Sequence, residues 1–138
     1  MVATQTRPQL LLASRDPSVT VLPSENVRGY DVRDMDNHSI GTVDDLVADA
    51  GTGRVRFLMI GDGGILGIGR THRLIPVDVV KEVTGTYVFL DRTKDQISGA
   101  PTWQPLDDEA YLAGIVRYYG CRPFWASDYR IPDWTNPG

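Results

Sequence analysis

The stretch Arg28-Gly-Tyr-Asp-Val-Arg-Asp-Met-Asp-Asn-His-Ser-Ile-Gly-Thr-Val-Asp-Asp-Leu-Val-Ala-Asp49 decides the fold. It reads as a strand, a tight polar turn and a second strand. Tyr30 to Arg33 supplies the first strand. Asp34 to Ser39 is the turn, because Asp, Asn and Ser bond their own backbone and tolerate positive φ. Ile40 to Ala48 is the second strand. Its Leu46-Val47 pair breaks strict alternation, which implies a bulge or a strand covered on both faces. Asp49-Ala50-Gly51-Thr52-Gly53 is the next hairpin turn, with glycine supplying the positive φ.

Four more strands follow. Arg54 to Gly61 carries the continuous apolar run Phe57 to Ile60, as a strand covered on both faces should. Thr71 to Ile75, Val79 to Val83 and Thr86 to Leu90 complete the set. Pro76 cannot donate to a ladder, so it marks a strand end or an edge. Six short strands with tight turns predict a mainly β fold: a small six-stranded barrel over residues 25–98, closed or nearly closed. Closure removes the exposed edges that an open sheet carries.

The flanks differ. Residues 1–24 are interrupted by Pro8, Pro17 and Pro23 and read as a flexible tail. Val19 to Leu22 is the alternative there, as a short edge strand. After the barrel the period changes. Thr93-Lys-Asp-Gln96 matches a capping box and opens about one turn of helix, ended by Gly99. Pro101 to Pro105 is a linker. Asp107 can cap a helix running to about Tyr119, whose apolar positions follow spacings of three and four. Gly120 is placed as its C′ residue. Residues 99–138 are therefore linker, helix and an aromatic C-terminal arm.

At 138 residues the chain fits one domain with tails. A net charge of −4 and a pI near 5.0 argue against broad nucleic-acid binding, which needs a basic face. Cys121 is the only cysteine, so no intramolecular disulfide forms, and a reducing compartment is expected. No apolar run approaches the ~20 residues that span a bilayer. Leu10-Leu11-Leu12-Ala13 is too short for a signal peptide's apolar region. The expected location is the cytoplasm.

Three segments together resemble the PRC-barrel family: Gly29-Tyr30-Asp31-Val32, Ser39 to Val47, and Thr52-Gly53-Arg54-Val55-Arg56-Phe57-Leu58. The glycine-rich hairpin, Leu74-Ile75-Pro76-Val77 and the following β-hairpin continue the likeness. The family takes its name from the cytoplasmic domain of the reaction-centre H subunit and includes the C-terminal domain of the ribosome maturation factor RimM. The resemblance implies a small β-barrel used as an adaptor or docking module. It implies no shared catalytic motif. The tail from Tyr118 to Trp125 resembles extensions of stand-alone bacterial members.

Sites for chemistry are few. Gly61 to Gly69 is glycine-rich, but Leu66 stands where a dinucleotide fingerprint needs glycine, and a strand pattern follows instead of a helix. It reads as a hairpin whose tip residues Ile65, Leu66 and Ile68 either meet a partner or pack on the same barrel. His38, His72 and Cys121 match no zinc spacing. The Asp31-to-Asp49 aspartates lack the glycine and glutamate of a calcium loop and read as turn chemistry. No metal and no cofactor is expected. Arg54, Arg56, Arg70, Arg73 and Lys81 could form a basic stripe for RNA, though cross-strand pairing with carboxylates is the simpler account. No serine has a Gly-x-Ser-x-Gly context.

Half of the twelve aromatic residues fall at the C-terminal end: Tyr118, Tyr119, Phe124, Trp125, Tyr129 and Trp134. They either cap the barrel or dock on another subunit, since Tyr and Trp bury much area at modest entropic cost. The sequence thus points to a non-enzymatic adaptor that binds a protein partner and itself, most simply as a dimer. A maturation-type RNA factor and a small-ligand barrel are the alternatives, the latter requiring a cavity that Val43, Val55, Phe57 and Leu58 would fill.

Overall fold

The computed structural model describes residues 9–62 and 70–135. Seven strands form one sheet: β1 (Leu10–Leu12), β2 (Asp31–Arg33), β3 (Ser39–Asp49), β4 (Val55–Asp62), β5 (Thr71–Pro76), β6 (Val80–Thr84) and β7 (Tyr87–Leu90). The order is β5-β4-β3-β2-β7-β6, with β1 paired to β3. All pairings are antiparallel except β2 with β7. The sheet curls into a small β-barrel architecture. β5 and β6 form its two ends. Pro76 closes β5 and is followed at once by a 3₁₀ turn, Val77–Val79, that carries the chain across to β6. Proline ends the ladder here because it has no N–H to continue it.

β3 is the spine. It pairs with β4 along one edge and with β2 and then β1 along the other. Its register shifts between Val43 and Asp45 and again between Val47 and Ala48. Leu46, Val47 and Ala48 are all buried, so both explanations for the broken alternation apply: bulges and two covered faces. Gly41 permits the close crossing of β3 and β4. Its φ is +154°, and a Cβ there would lie 2.2 Å from the Gly61 carbonyl oxygen.

The strand β1 corrects the flexible-tail expectation. Leu10 and Leu12 are buried against the core, and Ala13 donates to the Leu46 carbonyl at 2.9 Å. Three residues are too few to show alternation, and the partner strand lies far along the chain. Val19–Leu22 joins no ladder. The sheet therefore has seven strands where six are legible.

The helices follow local rules. In α1 (Lys94–Ser98) the Thr93 hydroxyl accepts from the Gln96 N–H, and the Gln96 side chain accepts from the Thr93 N–H. This is the expected capping box. In α2 (Glu109–Tyr118) the cap is Asp108, one residue later than expected, accepting from the Tyr111 N–H at 3.1 Å. Gly120, at φ +68°, ends it. Gly120 N–H donates to Arg117 O and Cys121 N–H to Val116 O, the two bonds of a Schellman motif.

Candidate interaction surface

The aromatic arm packs on its own barrel. Phe124 meets the core residue Phe57 edge to face, with ring centroids 5.7 Å apart, and Trp125 meets Phe124 at 4.8 Å. Tyr119, Phe124 and Trp134 are buried. Tyr129 lies over the Arg56 guanidinium at 5.4 Å and donates its hydroxyl to Asp78 at 3.3 Å. Burial pushes the Tyr119 and Tyr129 phenols well above the ordinary tyrosine range. Of the six aromatics, Tyr118 is the most exposed, at 43%, although its hydroxyl is held by the Gln96 carbonyl. Trp125 is half-buried. Ile65, Leu66 and Ile68 lie outside the described residues.

The polar residues hold the scaffold together. Asp34 is 1% exposed. Its Oδ1 accepts from the Asp36 and His38 amides at 3.0 and 2.7 Å. Its Oδ2 accepts from the Lys94 amide at 2.8 Å and faces His38 Nδ1 at 3.1 Å. Burial pushes this carboxyl upward, but the hydrogen bonds from His38, Lys94 and Asp36 prevail and hold it at about 2. One aspartate thereby ties the β2–β3 turn to the start of α1. Asp34, Asp36 and His38 bring ligand atoms within 4.8 Å of one another. The turn itself accounts for that clustering.

Glu25, also buried, accepts from Arg54 Nε and Nη2 at 3.0 and 2.9 Å through Oε2 and from the Val55 amide at 3.0 Å through Oε1. Asp49 accepts from the Gly51 amide at 2.8 Å and from Arg56 at 3.3 Å. Asp45 accepts from the Ser14 amide and hydroxyl and from the Leu46 amide. Asp44 binds Arg70 at 2.7 Å and His72 at 2.8 Å. Arg73 donates to the Ser98 and Ala100 carbonyls. The arginines of the supposed basic stripe are therefore engaged within the fold. His38, His72 and Cys121 are not brought together: each histidine pairs with its own aspartate, and Cys121 follows α2. Burial raises the Cys121 thiol to about 11, leaving it protonated at neutral pH.

Two open grooves lie elsewhere. An open groove of about 360 Å³ runs between β1 and the linker. Leu11, Trp103, Pro105 and Leu106 line it, with Arg15 and Asp16 at hand. A second groove of about 270 Å³ shares Leu10 and Leu106 and reaches Leu112 and Phe124. The first groove was not singled out from the sequence. Its one signal there is the unbroken Leu10-Leu11-Leu12 run.

Val43, Val55, Phe57 and Leu58 are each at most 1% exposed. Among the described residues, no helix is long and apolar enough to cross a membrane. A search of curated proteins finds no match to the chain. The family model for the PRC-barrel domain matches residues 20–97, more than half of the 138. That span contains the β2–β3 hairpin, the β4–β5 pair and the β6–β7 hairpin, and it excludes β1 and the aromatic arm. The chain belongs to the PRC-barrel family.

Proposed function

We propose that the protein is a non-enzymatic docking module that binds other proteins and associates with itself, most simply as a dimer. One contrast carries this reading. The buried carboxylates Glu25, Asp34, Asp45 and Asp49 are bonded into the scaffold, whereas apolar side chains, with charged ones beside them, line open grooves along β1, the linker and α2. A reaction needs convergent polar groups free to meet a substrate. A docking surface needs exposed apolar area with a polar rim. The paired arginines and the net charge of −4 favour a protein partner over RNA. The single cysteine fits a cytoplasmic setting. Size-exclusion chromatography with light scattering tests self-association. A dimer that dissociates on dilution supports the reading, and a monomer at every concentration contradicts it.

A further inference from the structure

We infer that the aromatic arm, residues 121–135, is a displaceable cover on a peptide-binding seat of the barrel, and that a partner docks there with an aromatic segment of the same kind. This rests on the docking reading above and names its surface and its ligand chemistry. The seat belongs to the barrel and the cover does not. Arg56, Phe57 and Asp78 fall within residues 20–97, which the family model matches, and the arm falls outside them. The seat has two parts. Phe57 meets an aromatic ring edge to face, as it does Phe124. Arg56 and Asp78 together select a tyrosine five positions later: the guanidinium lies over its ring at 5.4 Å and the carboxylate accepts its hydroxyl at 3.3 Å.

Three observations make the arm a cover. First, its own bonds are internal: Ala126 N–H donates to Pro123 O, Tyr129 N–H donates to Ala126 O, and Arg122 pairs with Asp128. These contacts survive when the arm lifts as a unit. Second, docking strands a donor. Trp134 is 3% exposed, and its Nε1 finds no acceptor among the described residues. Release into water satisfies that group, so the docked state forgoes a hydrogen bond. Third, the flanks are open. One groove of about 270 Å³ reaches Phe124, and another of the same volume is lined by Pro123 and Trp125 opposite Ala113 and Val116 of α2. A competing segment can enter beside the arm. A pivot is also in place. Arg92 Nη2 holds the Tyr119 carbonyl at 2.7 Å, and Gly120 follows at φ +68°, a conformation that carries no steric penalty for glycine. α2 stays anchored while the chain beyond Gly120 swings.

Peptide uptake by the full chain reads the seat directly. The probe is a fluorescein-labelled peptide of residues 122–135, followed by anisotropy. The attached arm competes with it, so weakening that arm should strengthen the peptide. Phe124→Ala in the chain should tighten peptide binding about tenfold or more over wild type, because the measured affinity scales with the fraction of seats standing open. Tyr129→Phe in the chain keeps the ring and drops the bond to Asp78, and it should tighten binding by a smaller factor. This milder variant carries the test where Phe124→Ala does not give the wild-type circular dichroism spectrum. The peptide carrying Phe124→Ala should bind about tenfold more weakly than the unmodified peptide, since it lacks the ring that meets Phe57. No gain in either chain variant, or equal binding of the two peptides, would overturn the seat and leave the docking reading standing. A wild type that is monomeric at every concentration, with variants that take up the peptide as described, would overturn self-association and leave the seat standing.

Discussion

Asp34→Asn isolates the most connected side chain of the barrel. The substitution keeps the shape and removes the charge. Its carbonyl oxygen can still accept from the Asp36 and His38 amides, which approach the aspartate at 3.0 and 2.7 Å. Its NH₂ group then faces the Lys94 N–H, which the carboxylate accepted at 2.8 Å. Two donors meet, and one buried N–H loses its partner, at a cost of about 1–3 kcal/mol. Loss of charge assistance in the remaining bonds brings the total to about 2–4 kcal/mol. For a chain of this size that is a fall of about 10 °C in Tm. The sign with pH is fixed by the direction of the shift. The folded carboxyl sits near 2, below its unfolded value of about 3.9, so its stabilisation is complete above the unfolded value and is lost as pH falls through the folded one. Wild type and variant should therefore differ most above about pH 5 and converge towards pH 2. Urea melts across that range, with hydrogen exchange at the Lys94 amide, read both effects. A gap that is independent of pH, or smaller than about 0.5 kcal/mol at pH 7, would refute the role assigned to Asp34.

Other substitutions probe other contacts. Arg54→Ala strands the buried Glu25 carboxylate and should cost about 3 kcal/mol in urea melts. Glu25→Ala should then cost clearly less in that background than in wild type, because the two groups act as a unit. Phe124→Ala removes the ring that meets Phe57 and should cost about 3 kcal/mol even at monomer concentrations; no loss there would mean the arm does not pack on its own barrel. Cys121 should react with iodoacetamide at pH 8 about 100-fold more slowly than free cysteine, since burial holds its thiol near 11. A rate equal to that of free cysteine would show the site to be open.

What the sequence reveals depends on how local the physics is. The Asp34–Ser39 turn, the Thr93 capping box and the Gly120 helix stop are legible because each is settled within a few residues. The broken alternation at Leu46-Val47 announces buried faces and bulges for the same reason. Contacts between distant residues are not legible in this way. Nothing in the spacing of Asp34 and Lys94, or of Glu25 and Arg54, announces that they meet. The Asp-rich turn reads correctly as turn chemistry, but its reach to α1 appears only in three dimensions. β1 escapes notice because three leucines show no period. The arm's aromatics are conspicuous in composition, yet composition does not say whose surface they cover. Phe57, central in β4, is the answer for Phe124.

The mass of the unmodified chain in solution tests the central claim most directly. Sedimentation equilibrium over a wide concentration range should give a species of twice the 15.3 kDa chain mass that dissociates reversibly on dilution. A single 15.3 kDa species at the highest concentration reached would contradict self-association.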